Sequence, residues 1–130
     1  MLLNALNQLE IECSWLLLAA VGMTYDSMNG VQGPYAVRIF ETELRCAHGT
    51  AKNAEPLPDF GGPSSPWHGH ADPNLTYAVE LVRDMGLNKE GHKVDTGKPI
   101  PCFGAAADGD ADRPLAIEIF FNAYIGLSRS

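Results

Sequence analysis

Phe103-Gly104-Ala105-Ala106-Ala107-Asp108-Gly109-Asp110-Ala111-Asp112-Arg113 decides how this chain is read. An uncharged run of small residues suits a buried strand. Three aspartates then alternate with small residues, so a loop at the strand's C-terminal end gathers three carboxylates around one point. Carboxylates that close repel one another and need water or a cation between them. Hard oxygen ligands suit Mg²⁺ or Ca²⁺ rather than zinc. Arg113 stands beside them, able to meet an anionic oxygen and most usefully a phosphate.

Two other readings of the loop compete. A calcium hand needs Gly at the sixth loop position and Glu at the twelfth, and Arg113 and Ile119 stand there instead. A solvated acidic turn is the plainer alternative, since Asp and Gly dominate turns.

Outward from the loop, the chain has 130 residues, one domain's worth, and 45% hydrophobic residues, enough for a core. Its net charge of −7 argues against a nucleic-acid partner, which needs a basic stripe. Cys13, Cys46 and Cys102 lack paired spacing and read as reduced structural thiols, which implies a cytoplasmic setting. Trp15 to Met23 is apolar, but Glu10 and Glu12 precede it and no Lys or Arg does. Neither a secretory signal nor a membrane span is expected, and a soluble chain is.

Residues 2–12 carry leucines at helical spacing, and Leu16 to Tyr25 reads equally as helix or buried strand. Turn chemistry starts at Asp26. A helix is predicted over 33–45, with Pro34 in its first turn and Ala36, Ile39, Phe40 and Leu44 as its apolar face. Residues 51–57 are weakly strand-like. Residues 58–71 form a long loop, in which His68 and His70 read as solvated and Trp67 as an anchor. A second helix is predicted between a cap at Asp72 and a stop at Gly86, burying Leu75, Ala78, Val79, Val82 and Met85. Leu115 to Phe121 reads as a last strand entered after Pro114. The alternation of strands and helices predicts an α/β fold, whose ligands bind beyond the carboxyl ends of the strands.

Four segments, in order, resemble one family. Asp26-Ser27-Met28-Asn29-Gly30-Val31-Gln32-Gly33-Pro34-Tyr35 resembles the Asp-x-Met-x-Gly-x-x-Gly-Pro-Tyr segment of phosphoglucomutase. Pro56-Leu57-Pro58-Asp59-Phe60-Gly61-Gly62 resembles its Pro-Leu-x-Asp-Phe-Gly-Gly, and Asp72 to Ala78 is similar to the helix start that follows. The aspartate loop resembles the metal-binding loop of the α-D-phosphohexomutases. The resemblance implies a three-layer α/β/α domain with a small mixed sheet, the second of that family's four domains, over residues 23–113. Residues 1–22 are then an unrecognised extension and 114–130 a divergent tail.

The resemblance further implies an intramolecular phosphotransferase interconverting glucose 1-phosphate and glucose 6-phosphate. It works through a phosphoserine and a glucose 1,6-bisphosphate intermediate, with a hexose phosphate as substrate. It implies that Asp108, Asp110 and Asp112 ligate Mg²⁺ and that Arg113 contacts the phosphoryl group. The family's Thr-Ala-Ser-His-Asn-Pro donor segment and its sugar-reading segment do not occur here, so the chain is expected to be inactive alone. Ala111 stands where the family has Gly, and Pro114 where it has Asn. The apolar runs Leu16–Leu18 and Ile117–Phe121 are expected to be partly exposed, as surfaces that neighbouring domains would cover.

Two alternatives remain. One is a non-enzymatic α/β module that binds a divalent ion or regulates. The other is a haloacid-dehalogenase-type phosphatase, whose later Thr/Ser and Lys motifs are absent after Arg113.

Overall fold

A small mixed sheet organises the chain. The computed structural model describes residues 22–118 and 127–129. Expectations for residues 2–12, for Leu16–Leu18 and for Cys13 fall outside the described residues. The strands are β1 (Met23–Asp26), β2 (Ala51–Lys52), β3 (Phe103–Ala107), β4 (Pro114–Glu118) and β5 (Leu127–Arg129), in the order β2-β1-β3-β4-β5. β1 is parallel to β2 and β3, while β3–β4 and β4–β5 are antiparallel. Of the ambiguous run up to Tyr25, the residues from Met23 on lie in β1. Pro114 is tolerated because it is the first residue of β4, paired with Ala107.

The first helix runs from Gly33 to Ala36 as α1 and continues as a π-helix over Val37–Glu43. Its wider turn shows in the Leu44 N–H, which donates to the Ile39 carbonyl five residues back at 2.9 Å. A stripe predicted at the α-helical period loses phase there. Ala36 is buried and Phe40 packs on Tyr25 with ring centroids 5.0 Å apart, but Ile39 turns out to solvent.

The second helix, α2, spans only Val79–Asp84 and is not capped by Asp72. Asn74 caps a single turn instead: its side-chain oxygen accepts the N–H groups of Thr76 and Tyr77, and the Ala78 N–H donates to its carbonyl at 2.9 Å. The backbone of Ala78 then departs from helical geometry (φ −76°, ψ 52°). The later start rotates the buried face, so Leu81 is in the core while Val79 is at the surface. The stop is as expected. The Gly86 N–H donates to Arg83 and the Leu87 N–H to Val82, which caps the last carbonyls.

Strand alternation puts the helices on opposite faces. Tyr25 faces the π-helix through Phe40. Gly104 faces α2 so closely that a Cβ there would lie 2.5 Å from Met85 Sδ. On that second face Met28, Trp67, Leu81, Met85, Ala106, Leu115 and Ile117 form the core. The fold is therefore a three-layer arrangement around a small mixed sheet. Ile117, expected at an exposed patch, is buried, because β4 turns that residue onto the α2 face. Residues 119–121 lie outside the described residues. No helix among the described residues is long and apolar enough to cross a membrane.

Candidate metal and phosphate site

Parallel pairing puts the C-terminal ends of β1 and β3 side by side, with Asp26 opposite Ala106. The turn after β1 and the aspartate loop after β3 therefore emerge together. They are tied directly: the Val31 N–H donates to the Gly109 carbonyl at 3.0 Å, and Gln32 Nε2 reaches the Ser27 carbonyl at 2.8 Å and that of Asp108 at 3.4 Å. The two glycines of the first turn serve close approach. A Cβ on Gly30 would sit 2.8 Å from the Gly109 oxygen, and one on Gly33 would run into the backbone of Ala54.

Within the loop, Asp108, Asp110 and Asp112 each offer an oxygen, and these oxygens lie within 4.8 Å of one another. Asp108 is buried and the other two are exposed. The Asp108 side chain organises the turn. Its Oδ1 accepts the N–H groups of Asp112 (3.0 Å) and Arg113 (3.2 Å), and its Oδ2 accepts Arg113 Nε at 3.1 Å. Ala111 takes the left-handed conformation (φ 63°) and donates its N–H to the Asp108 carbonyl at 3.0 Å.

The charges divide accordingly. Burial pushes the Asp108 carboxyl up, but hydrogen bonds from the Arg113 backbone, Asp112 and the Arg113 side chain, with the guanidinium charge, hold it below its ordinary value. Hydrogen bonding with Asp108 and Asp110, followed by their like charge, raises Asp112. Crowded acids of this kind favour a cation among them.

Arg113 belongs to the cluster. Besides Asp108 it faces Asp72, Nη2 to Oδ1 at 3.6 Å. The long loop closes over this side. Phe60 lies so near Gly109 that a Cβ there would sit 2.6 Å from the ring, and Trp67 anchors the loop by burial and by donating Nε1–H to the Phe60 carbonyl at 2.7 Å. A shallow cleft of about 510 Å³ results, lined by Val31, Phe60, His70, Asp108, Asp110 and Arg113 among others.

The three aspartates and Arg113 are thus brought together as the sequence predicted. His68 is exposed, with Nδ1 3.1 Å from the Pro63 carbonyl. His70 stacks on Tyr77, centroids 4.7 Å apart. Sequence reasoning missed His70, Phe60 and Asp72 as neighbours of the site. Their separation along the chain gives no signal, and only the docking of the loop brings them in.

No protein-family model matches the chain. Individual proteins do. A probable cytoplasmic phosphoglucomutase of Arabidopsis thaliana is 53% identical over 93 residues, covering 72% of this chain and 14% of the relative. The cytoplasmic phosphoglucomutase of Populus tremula is 50% identical over the same length and shares. Among solved structures, the open form of pp63/parafusin, an exocytosis-sensitive phosphoprotein and phosphoglucomutase of Paramecium, superposes with a TM-score of 0.62 at 36% identity. That match covers 86% of this chain and 19% of the other. The chain therefore spans about one seventh of the relatives it matches by sequence. By sequence and by fold, the chain matches one segment of these longer phosphoglucomutases.

Proposed function

We propose that residues 23–113 supply the metal-bearing second domain of a cytoplasmic phosphoglucomutase, an enzyme interconverting glucose 1-phosphate and glucose 6-phosphate. The observation that carries this is the meeting of three carboxylate oxygens within 4.8 Å at the C-terminal end of β3, in a chain that matches a segment of phosphoglucomutases. The donor set fits Mg²⁺: all ligands are hard oxygens, and the hydrogen bonding with Asp108 and Asp110, with their like charge, that raises Asp112 marks a crowded cluster that a cation would relieve. Asp108, Asp110 and Asp112 would hold the ion. When bound, it would neutralise charge on a phosphoryl group in transfer.

The chain's own residues then divide the work. Asp108 fixes the loop through its three hydrogen bonds, so the loop is preorganised rather than assembled on binding. Asp110 and Asp112 remain exposed for the ion. Arg113, oriented by Asp108 and Asp72, offers its exposed guanidinium to a phosphoryl oxygen. The Ser-His-Asn-Pro donor segment is not in this chain, so the phosphoserine and the sugar contacts must come from elsewhere in a longer protein.

Titration calorimetry of the full chain with Mg²⁺ and Mn²⁺ tests the loop. Millimolar binding is expected, since Mg²⁺ keeps its waters unless phosphate oxygens complete its shell. Asp110→Asn should weaken it several-fold without unfolding the chain. Equal affinity for both versions would reduce the loop to an acidic turn. In a coupled assay with glucose 1-phosphate and the 1,6-bisphosphate, the chain alone should show no turnover. Activity above a protein-free control would overturn the claim that it is one part of the enzyme.

A further inference from the structure

A second cleft, of about 650 Å³, opens at the β2 side of the sheet and shares no lining residue with the aspartate cleft. Its volume is in the range of small-molecule sites. Lys52, Arg83, Lys98 and Asp84 line it, so three cations stand against one carboxylate. Asp84 pairs with Lys52 and lies 3.7 Å from Arg83 Nε. Lys98 has no carboxylate partner among the described residues. In a chain of net charge −7, this is a local excess of positive charge. Such an excess attracts an anion.

An independent observation points the same way. Thr24 also lines the cleft and is 4% exposed, yet its hydroxyl has no hydrogen-bond partner among the described residues. A buried hydroxyl without a partner costs free energy that a bound acceptor would recover. Met23, Pro99 and Pro101 give the same cleft an apolar wall.

We infer that this cleft binds a small organic phosphate monoester, its dianionic head between Lys98 and the Lys52–Arg83–Asp84 group and its body against Met23 and the prolines. The Thr24 hydroxyl donates to a phosphate oxygen. A dianion is favoured over a carboxylate because it matches the excess of two positive charges. The site is separate from the metal loop, and the test is run without divalent ions so that the two succeed or fail independently.

Calorimetric titration of the full chain in EDTA with phenyl phosphate, and with inorganic phosphate, should give saturable millimolar binding. Phenyl phosphate should bind the tighter of the two. Lys98→Ala should lower its affinity about fivefold to tenfold, the loss of one charge-assisted contact. Thr24→Val should lower affinity several-fold while leaving the thermal midpoint unchanged or higher, because it removes an unpartnered hydroxyl at nearly constant shape. Absence of saturable binding overturns the proposal. So does an affinity that neither substitution changes.

Discussion

Ala111→Gly should stabilise this protein, although replacing alanine by glycine normally does the opposite. Ala111 sits at φ 63° inside the aspartate loop, a conformation that costs an L-residue about 1–2 kcal/mol. Glycine removes that strain but adds about 0.5–1 kcal/mol of backbone entropy to the unfolded chain. No packing is lost, since the Ala111 side chain is exposed, and its N–H bond to the Asp108 carbonyl needs only backbone. The balance is a gain of about 0.5–1 kcal/mol. With a urea slope near 1–2 kcal/mol/M for a chain of this size, the unfolding midpoint should rise by roughly 0.5 M. Equilibrium urea titration followed by Trp fluorescence measures it. An unchanged or lower midpoint at the same slope would mean that the loop does not hold Ala111 in the left-handed region. The geometry that gathers the aspartates would then be wrong.

Gly33→Ala should destabilise by roughly 1–3 kcal/mol or prevent folding, because the new methyl meets the Ala54 backbone rather than a movable side chain. Midpoints from the same titration check it, and a variant as stable as the parent would show that the helix entry is looser than described. Asp26 is buried at the end of β1, accepting the Met28 N–H at 2.9 Å and Asn53 Nδ2 at 2.9 Å. Burial outweighs those hydrogen bonds, and Glu80 nearby adds to it, so its carboxyl is raised above the ordinary 3.8. The native state thus favours the protonated acid. Its stability contribution is present below 3.8 and is lost as pH rises through the raised native value. Asp108, held below its ordinary value, acts in the opposite sense, with stability present above 3.8 and lost as pH falls through its native value. Urea midpoints across the acidic range should therefore decline less steeply with rising pH in Asp26→Asn than in the parent. Parallel profiles would remove Asp26 as the cause.

How much of this was legible in the sequence depends on how local the cause was. β3, the stop at Gly86 and the turn after Asp26 follow from short-range chemistry: small apolar residues for a buried strand, glycine for a left-handed cap, Asp, Ser and Asn for a turn. The helix predicted from Asp72 becomes instead one turn capped by Asn74, which ends where the backbone of Ala78 leaves helical geometry. The π-helical stretch was not legible, since nothing in the spacing of Ala36, Ile39 and Phe40 announces a wider turn.

For the site, the alternation of Asp108, Asp110 and Asp112 with small residues determined that three carboxylates share one short loop, because two-residue spacing in a tight turn leaves them little room to separate. Tertiary structure decided which of them is buried. Parallel pairing of β1 with β3 set the Gly30 turn against Gly109, and the loop around Trp67 closed the other side. These contacts bury Asp108, while Asp110 and Asp112 stay open to solvent. Such contacts join residues dozens of positions apart. Their energy depends on shape and hydrogen-bond geometry across the interface, which a linear pattern does not encode.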